Sequence, residues 1–400
     1  MPTYLTPGVY FGEIGSSGRL LGAYDKLDPA IYALEARMPG PRWWSEHSTA
    51  AFLGVASQGP LQQPMFLSEW QQFGYTFGDF VEGAYLAHAV HGFFNNGGRS
   101  CYVVRIGGSA EVGVGIALDD FIGGMAALEA IQDISTVCVP DIMSAYERGM
   151  LDLDGLQAIQ LGMIDHCHLM GDRVAILDPP PGLHPQQVKE WRVDRAGYDS
   201  EYAALYYPWI KVYDPASGHI FVPPSGHIAG IFARSDLLRG FHRAPANQTV
   251  QGALALDVYM LHKEQELLYP AGVNLLVASS TRGLVVWGAR TLSSDPTWRD
   301  LQWRRVAIFI QRNIRQGTQW VVFERTDDTD VWARVLHDLA DFFHLLWRSG
   351  VLWGDTPEQA YALRCDEETN PAEARIIVVE VSVALQRYQY FDFQVVYSCG

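Results

Sequence analysis

Residues 81–106 read VEGAYLAHAVHGFFNNGGRSCYVVRI. Tyr85, Leu86, Ala89, Val90, Phe93 and Phe94 recur at helical spacing, and Asn96-Gly97 supplies a C-terminal stop. CYVVRI (101–106) is a short apolar run after a Gly-rich turn, the pattern of a buried strand. Upstream, TAAFLGVA (49–56) has the same character. Strand, helix and strand in this order predict parallel pairing through a helical crossover, and therefore an α/β fold.

The alternation continues downstream. The pattern predicts a short helix in EWQQFGYTFG (69–78), a hinge at GGSAEVGVG (107–115) and a helix near 119–133. A strand in STVCVPD, a helix near 152–170, a strand in RVAILD and a helix near 184–196 come next. ALYYPWIKVYD (204–214) reads as one strand, and VPPSGHIAG (222–230) as a Pro/Gly-rich loop. The last third predicts a helix over 296–315 stopped at Gly317 and a strand in QWVVFE (319–324). An amphipathic helix over 330–348 and two strands, RIIVVEVSVAL (375–385) and YQYFDFQVVY (388–397), complete it. Residues 21–45, with several Pro and Gly, read as an irregular connection.

Both ends are strand-forming. YLTPGVYFGEI (4–14) is extended and apolar and is followed by the loose run GSSG (15–18). In the last strand Phe391, Phe393, Val395 and Tyr397 share one face, and Asp392 and Gln394 the other. Such a strand is tied down either in its own sheet or by addition to a neighbour's sheet edge.

The composition excludes several classes. A formal net charge of −16 argues against nucleic acid and against an anionic membrane as partner. Five scattered cysteines without a C-x-x-C pair fit a reducing compartment. No 18-residue apolar run and no basic-then-apolar leader occurs, so synthesis and folding in the cytoplasm are expected, with any release by lysis. An α/β chain is also open to an enzyme reading, hydrolase-like. The sequence has no phosphate loop, no nucleophile elbow, no G-x-G-x-x-G after a strand and no H-E-x-x-H. Ser225 beside His227 lies in a predicted turn. Asp165-His166-Cys167-His168 would point its side chains apart on a helix. His88 and His91, three apart, could share a face, and Asp366-Glu367-Glu368 reads as a capping or salt-bridging loop.

Ten blocks, in order, resemble tail sheath proteins of contractile phage tails and contractile injection systems. They are TPGVY (6–10), AFLGVASQGP (51–60), HGFFNNGGRSCYVVRI (91–106), EYAALYYPWIKVYDP (201–215), VPPSGHIAGIFARSD (222–236), APAN (244–247), PAGVN (270–274), WGARTLSSDPTWRDLQWRRV (287–306), QGTQWVVFE (316–324) and RCDEETNP (364–371). The resemblance implies a mixed α/β tail-sheath fold. An N-terminal arm and linker (1–22) would precede an inner body built from 23–106 and 265–385, with an outer α/β insertion at 107–264 and a C-terminal strand arm at 386–400. It implies stacked six-membered rings around an inner tube that contract to drive the tube through a target envelope. Neighbouring subunits would exchange strands through Pro7, Gly8, Val9, Tyr10 and Phe11 at one end and Phe391, Phe393, Val395 and Tyr397 at the other. The 330–348 helix would touch the tube through Arg334, Asp338, Asp341 and Arg348. Implied partners are further copies of the chain, the tube protein, baseplate and terminator proteins and sheath paralogues. No catalytic residue, metal or cofactor is implied. The compact length leans toward a tailocin-like or extracellular injection particle, and another tail or baseplate component is the remaining structural alternative.

Overall fold

The computed structural model describes residues 7–13, 48–107, 118–370, 376–387 and 389–399. The 15–18 tether, the 21–45 connection and most of the 107–115 hinge lie outside the described residues. Two compact units divide the chain: residues 46–308, and residues 1–45 together with 309–400. β1 (Gly8–Glu13) belongs to the second of these.

In the 46–308 unit, β2 (Thr49–Val55) and β3 (Met65–Leu67) precede the helices α1 (Trp70–Phe77) and α2 (Leu86–Asn95). β4 (Cys101–Gly107), α3 (Leu118–Ala126), β5 (Ile134–Cys138), α4 (Asp141–Glu147), α5 (Leu153–Met170) and β6 (Val174–Leu177) continue the alternation. α6 (Pro185–Glu190) runs on as a π-helical turn, Trp191–Arg195, into β7 (Ala203–Tyr207). β8 (Ile210–Asp214), β9 (Gly218–Val222), α7 (Ser225–Arg239), β10 (Ala255–Leu256), α8 (His262–Leu268), β11 (Val273–Ser279) and β12 (Gly283–Trp287) follow.

An eight-stranded sheet in the order β12-β11-β7-β6-β5-β2-β4-β3 forms the body of this unit. The inner six strands are parallel, and β12 and β3 close the edges antiparallel. Parallel strands covered on both faces read as unbroken apolar runs. Accordingly Ala50–Leu53 and Ala203–Tyr207 are buried throughout. A small antiparallel sheet, β10-β8-β9, stands beside it.

Two expectations need correction here, and the expected divisions differ from the compact units. β2 pairs β4 on one side and β5 on the other, so 49–107 and the segment after it share one sheet. The expected divisions at 106/107 and 264/265 therefore do not mark the compact units. ALYYPWIKVYD is two strands in two sheets, because Pro208, which has no N–H to give a ladder, separates β7 from β8. VPPSGHIAG is not a loop beyond Pro224: α7 starts at Ser225. Its glycines serve close packing. A Cβ at Gly226 would overlap Ala89 Cα, and one at Gly230 the Phe93 carbonyl, both on α2.

α9 (Leu301–Gly317), within which the division at 308/309 falls, leads to the second unit. There α10 (Thr329–Arg348) and α11 (Pro357–Ala360) pack with a four-stranded antiparallel sheet. Its strands are β13 (Tyr361–Arg364), β14 (Ile376–Gln386) and β15 (Gln389–Ser398), in the order β1-β15-β14-β13. QWVVFE is not a strand. After Gly317 the chain continues as a 3-10 helix, Gln319–Phe323, closed by Val321 N to Thr318 O and Glu324 N to Val321 O. It buries Val321 and Val322 without needing a partner strand.

Candidate assembly surfaces

The four-stranded sheet is built from both ends of the chain. β15 is paired along both sides, with β14 from Ile376↔Ser398 onward and with β1 from Gly8↔Ser398 to Glu13↔Phe393. The alternation expected for β15 holds. Phe391, Phe393, Val395 and Tyr397 are at most 3% exposed, and the Phe391 and Phe393 rings stack 4.7 Å apart. On the other face Asp392 takes the Ser382 hydroxyl and Gln394 Nε2 donates to Glu380 at 3.3 Å. Tyr397 donates to Thr318 Oγ1 at 3.0 Å in the interior. Cys399 is half-buried with its thiol against the Val321 carbonyl at 3.5 Å.

β1 is an edge strand. Pro7 is exposed at the bend before it, and Gly8, Val9, Tyr10 and Phe11 are half-buried. Phe11 reaches Phe393 at 6.3 Å between ring centroids and lies under the Arg315 guanidinium at 5.4 Å. The N-terminal set thus sits at the margin of the chain's own sheet and the C-terminal set at its centre. Arg315, on α9, is a partner that sequence reading missed. Its signal, a cation fourteen residues before the start of the next α-helix, is no different from that of any solvated arginine.

α10 is the second surface. Asp328 caps it, accepting from Asp330 N at 2.9 Å, and Gly350 at φ +71° follows its end. Trp332, Val335, Leu339, Phe343 and Leu346 are buried as the periodicity predicts, while Leu336 is half-buried and Phe342 joins the core. Phe343 stacks on Tyr361 at 5.6 Å and Phe342 on Phe309 at 6.4 Å. Arg334, Asp338, Asp341 and Arg348 fall on one face at i, i+4, i+7 and i+14. They are not equally available. Arg334 pairs with Glu324 at 3.6 Å and lies 4.2 Å over the Trp320 ring. Asp338 accepts from Trp320 Nε1 at 3.1 Å, and burial raises its pKa. Asp341 faces His337 at 3.5 Å, and Arg348 is exposed in the last turn. Phe323, 85% exposed on the 3-10 helix that carries Trp320, was hidden by the strand reading of this stretch.

The clusters weighed for chemistry diverge. His88 Nε2 pairs with Asp214 at 3.1 Å, whereas His91 meets Asn95 and the edge of Trp70. His166 faces Arg173 at 3.3 Å and His168 the Tyr202 ring. Ser225 N donates to Asp178 Oδ1 at 3.0 Å, and His227 packs under Gly92. Arg364 binds both Asp366 and Glu368, the salt-bridged loop the sequence predicts. Among the described residues no helix is long and apolar enough to cross a membrane.

Comparison with known proteins gives one family. Residues 120–292 match the phage tail sheath protein central domain and residues 293–389 the phage tail sheath C-terminal domain. A prophage major tail sheath protein of Pseudomonas aeruginosa (strain UCBPP-PA14) is 28% identical over 156 residues, 37% of this chain and 39% of that protein. The tail sheath protein of Salmonella phage ViI is 25% identical over 199 residues, 48% of this chain and 30% of that protein. The chain thus spans about a third of the length of these relatives. Among solved structures, the helical sheath of the anti-feeding prophage in its contracted state superposes with a TM-score of 0.69 at 24% identity, covering 92% of this chain and 96% of that one. The sheath tail protein of Listeria innocua superposes at 0.65 with 11% identity, covering 88% and 95%. The fold is therefore shared well beyond the reach of sequence identity. Two successive sheath domains matched over 270 of 400 residues place this chain in the phage tail sheath family.

Proposed function

We propose that the protein is the subunit of a contractile sheath. Copies stack as six-membered rings around an inner tube and shorten together to drive that tube through a target envelope. It works by mechanics and carries no catalytic site. The outer part of the particle is formed by the middle of the chain, and the tube is met by the region that carries α10. Assembly takes place in the cytoplasm, with release by lysis.

The observation that carries this reading is the edge position of β1. Its six residues hold β15 in a register that an identical strand from another copy reproduces bond for bond. Residues 14–47 join β1 to the rest of the chain, and thirty-odd residues reach at most on the order of 110 Å. That length permits donation of the strand to a neighbour. β15, central and buried, is the acceptor when β1 is donated and is itself exchangeable only as a pair with what covers it. Arg334, Asp338, Asp341 and Arg348, with Phe323 beside them, form the tube contact. Polar contacts of this kind set partner and register at little cost in release.

Electron microscopy of the protein expressed alone, beside a variant lacking residues 1–18, tests the proposal. Hollow ridged tubes from the full chain, and only monomers or loose rings from the variant, are expected. Monodisperse monomers from the full chain, persisting on co-expression with a tube protein, would overturn it.

A further inference from the structure

The 46–308 unit contains a cleft of about 400 Å³ that the sheath reading does not use. It opens where residues 192–199, Pro270-Ala271-Gly272 and residues 290–299 meet. These are the N-terminal ends of β7 and β11, opposite to the end at which open parallel sheets hold small substrates. Arg192, Arg290 and Arg299 line it. Among the described residues Asp199 is the only acid in that lining, and it is already engaged. It accepts from Ser294 N at 2.8 Å and from Ser294 Oγ at 2.6 Å, which holds its carboxyl below the usual range.

Two of the arginines are held in place. Arg192 Nη2 donates to Leu292 O at 2.8 Å. Arg290 Nη1 donates to Tyr269 O at 3.2 Å, with its guanidinium 4.1 Å over the Tyr269 ring. Yet the Nε of each is buried without a hydrogen-bond partner among the described residues. Arg299 is exposed at the mouth, its contact with Ser294 O a long 3.4 Å.

We propose that this cleft is a carboxylate-binding site whose occupant is an Asp or Glu side chain of a second copy of the chain. Charge complementarity selects that occupant. The chain carries 45 acidic against 29 basic residues, so the surface that every other copy presents is acidic, and this cleft is a local reversal of that charge. Fixed guanidinium groups favour a planar, two-oxygen acceptor. A free anion of the same chemistry is the competing source. The inference rests on the polymer reading above.

The test uses tubes grown from the full-length Arg299→Lys protein, mixed from ¹⁴N and ¹⁵N subunits and treated with a zero-length carbodiimide. A mixed-isotope peptide joining position 299 to an Asp or Glu is expected in tubes and not in monomers. Arg299→Glu should raise the concentration needed for assembly about tenfold and leave the melting curve unchanged. Tubes that form normally and give no mixed-isotope link at position 299 would overturn the inference alone. Absence of tubes from the wild-type chain, persisting on co-expression with a tube protein, would instead overturn the polymer reading, and this inference with it. Titration with inorganic phosphate forms the third arm. Phosphate binding that Arg299→Glu abolishes, together with unimpaired assembly of that variant, would assign the cleft to a free anion and overturn the proposed occupant.

Discussion

Gly12 and Gln394 stand directly opposite each other on β1 and β15, and a Cβ at Gly12 meets nothing within 4 Å. Opposed residues of an antiparallel pair have Cβ atoms about 4.5–5.5 Å apart, within reach of a disulfide once the strands breathe slightly. Gly12→Cys with Gln394→Cys, in a Cys399→Ser background, therefore reports which chain supplies β1. The energetics favour a clear answer. Six paired residues make about six ladder hydrogen bonds at about 1 kcal/mol net each. Ordering the same residues costs about 1 kcal/mol or more apiece. The balance is a few kcal/mol at most, so β1 opens and recloses on its own sheet. Moving it to an identical sheet remakes the same bonds, and proximity alone decides the partner. Oxidised monomers should lose both introduced thiols and run at single-chain mass on a non-reducing gel. Oxidised tubes should run as a ladder of dimers and higher multiples. Tubes that lose the thiols yet denature to single chains would refute strand exchange.

Three more expectations follow from particular contacts. Arg334→Glu with Arg348→Glu removes the Glu324 pair and the Trp320 contact, together about 1 kcal/mol at this exposed site. The variant should stay folded by circular dichroism and fail to assemble on tubes, and normal tube-filled particles would refute the α10 contact. His227 is driven down to about 3, first by burial and then by His91 and His88. A depressed histidine costs stability as pH falls below the unfolded value of about 6.5, about 2 kcal/mol by pH 5. Asp178, raised by burial to about 7, acts oppositely, since its contribution is lost as pH rises through that value. The stability difference between wild type and His227→Gln should thus shift by about 2 kcal/mol in urea melts between pH 7 and pH 5, and identical pH profiles would refute it. Gly226→Ala should destabilise the 46–308 unit by about 1–3 kcal/mol by pressing on Ala89, and an unchanged urea midpoint would show that α2 and α7 yield at that point.

The α/β body was legible because buried parallel strands and amphipathic helices carry distinct periods. The pattern placed α2, α5, β4 and β6 within a few residues of their observed bounds. Where Gly and Pro are used for packing, the same reading fails. SGHIAG looks like a turn, yet its glycines are contact points between two helices, and nothing local distinguishes the uses. QWVVFE has strand composition, but the hydrogen bonds continuing from Thr318 and the burial of Val321 and Val322 make a 3-10 helix sufficient. For the candidate surfaces, the charged face of α10 follows from spacing. The Trp320 contacts of Arg334 and Asp338 do not, because they depend on where the preceding turn brings that ring.

β1 covers the outer edge of β15 over residues 393–398 in the single chain. A bare edge of that length is a template for indiscriminate pairing. The strand proposed to stitch the polymer is then also what keeps a free subunit from sticking to its neighbours at random. The consequence is kinetic. If strands are exchanged as proposed, the first ring requires several chains to give up closed sheets before any neighbour has replaced them, so growth would begin after a lag and then run fast. On the same proposal, a preformed tube end or baseplate would shorten that lag by holding subunits in place while their strands change hands.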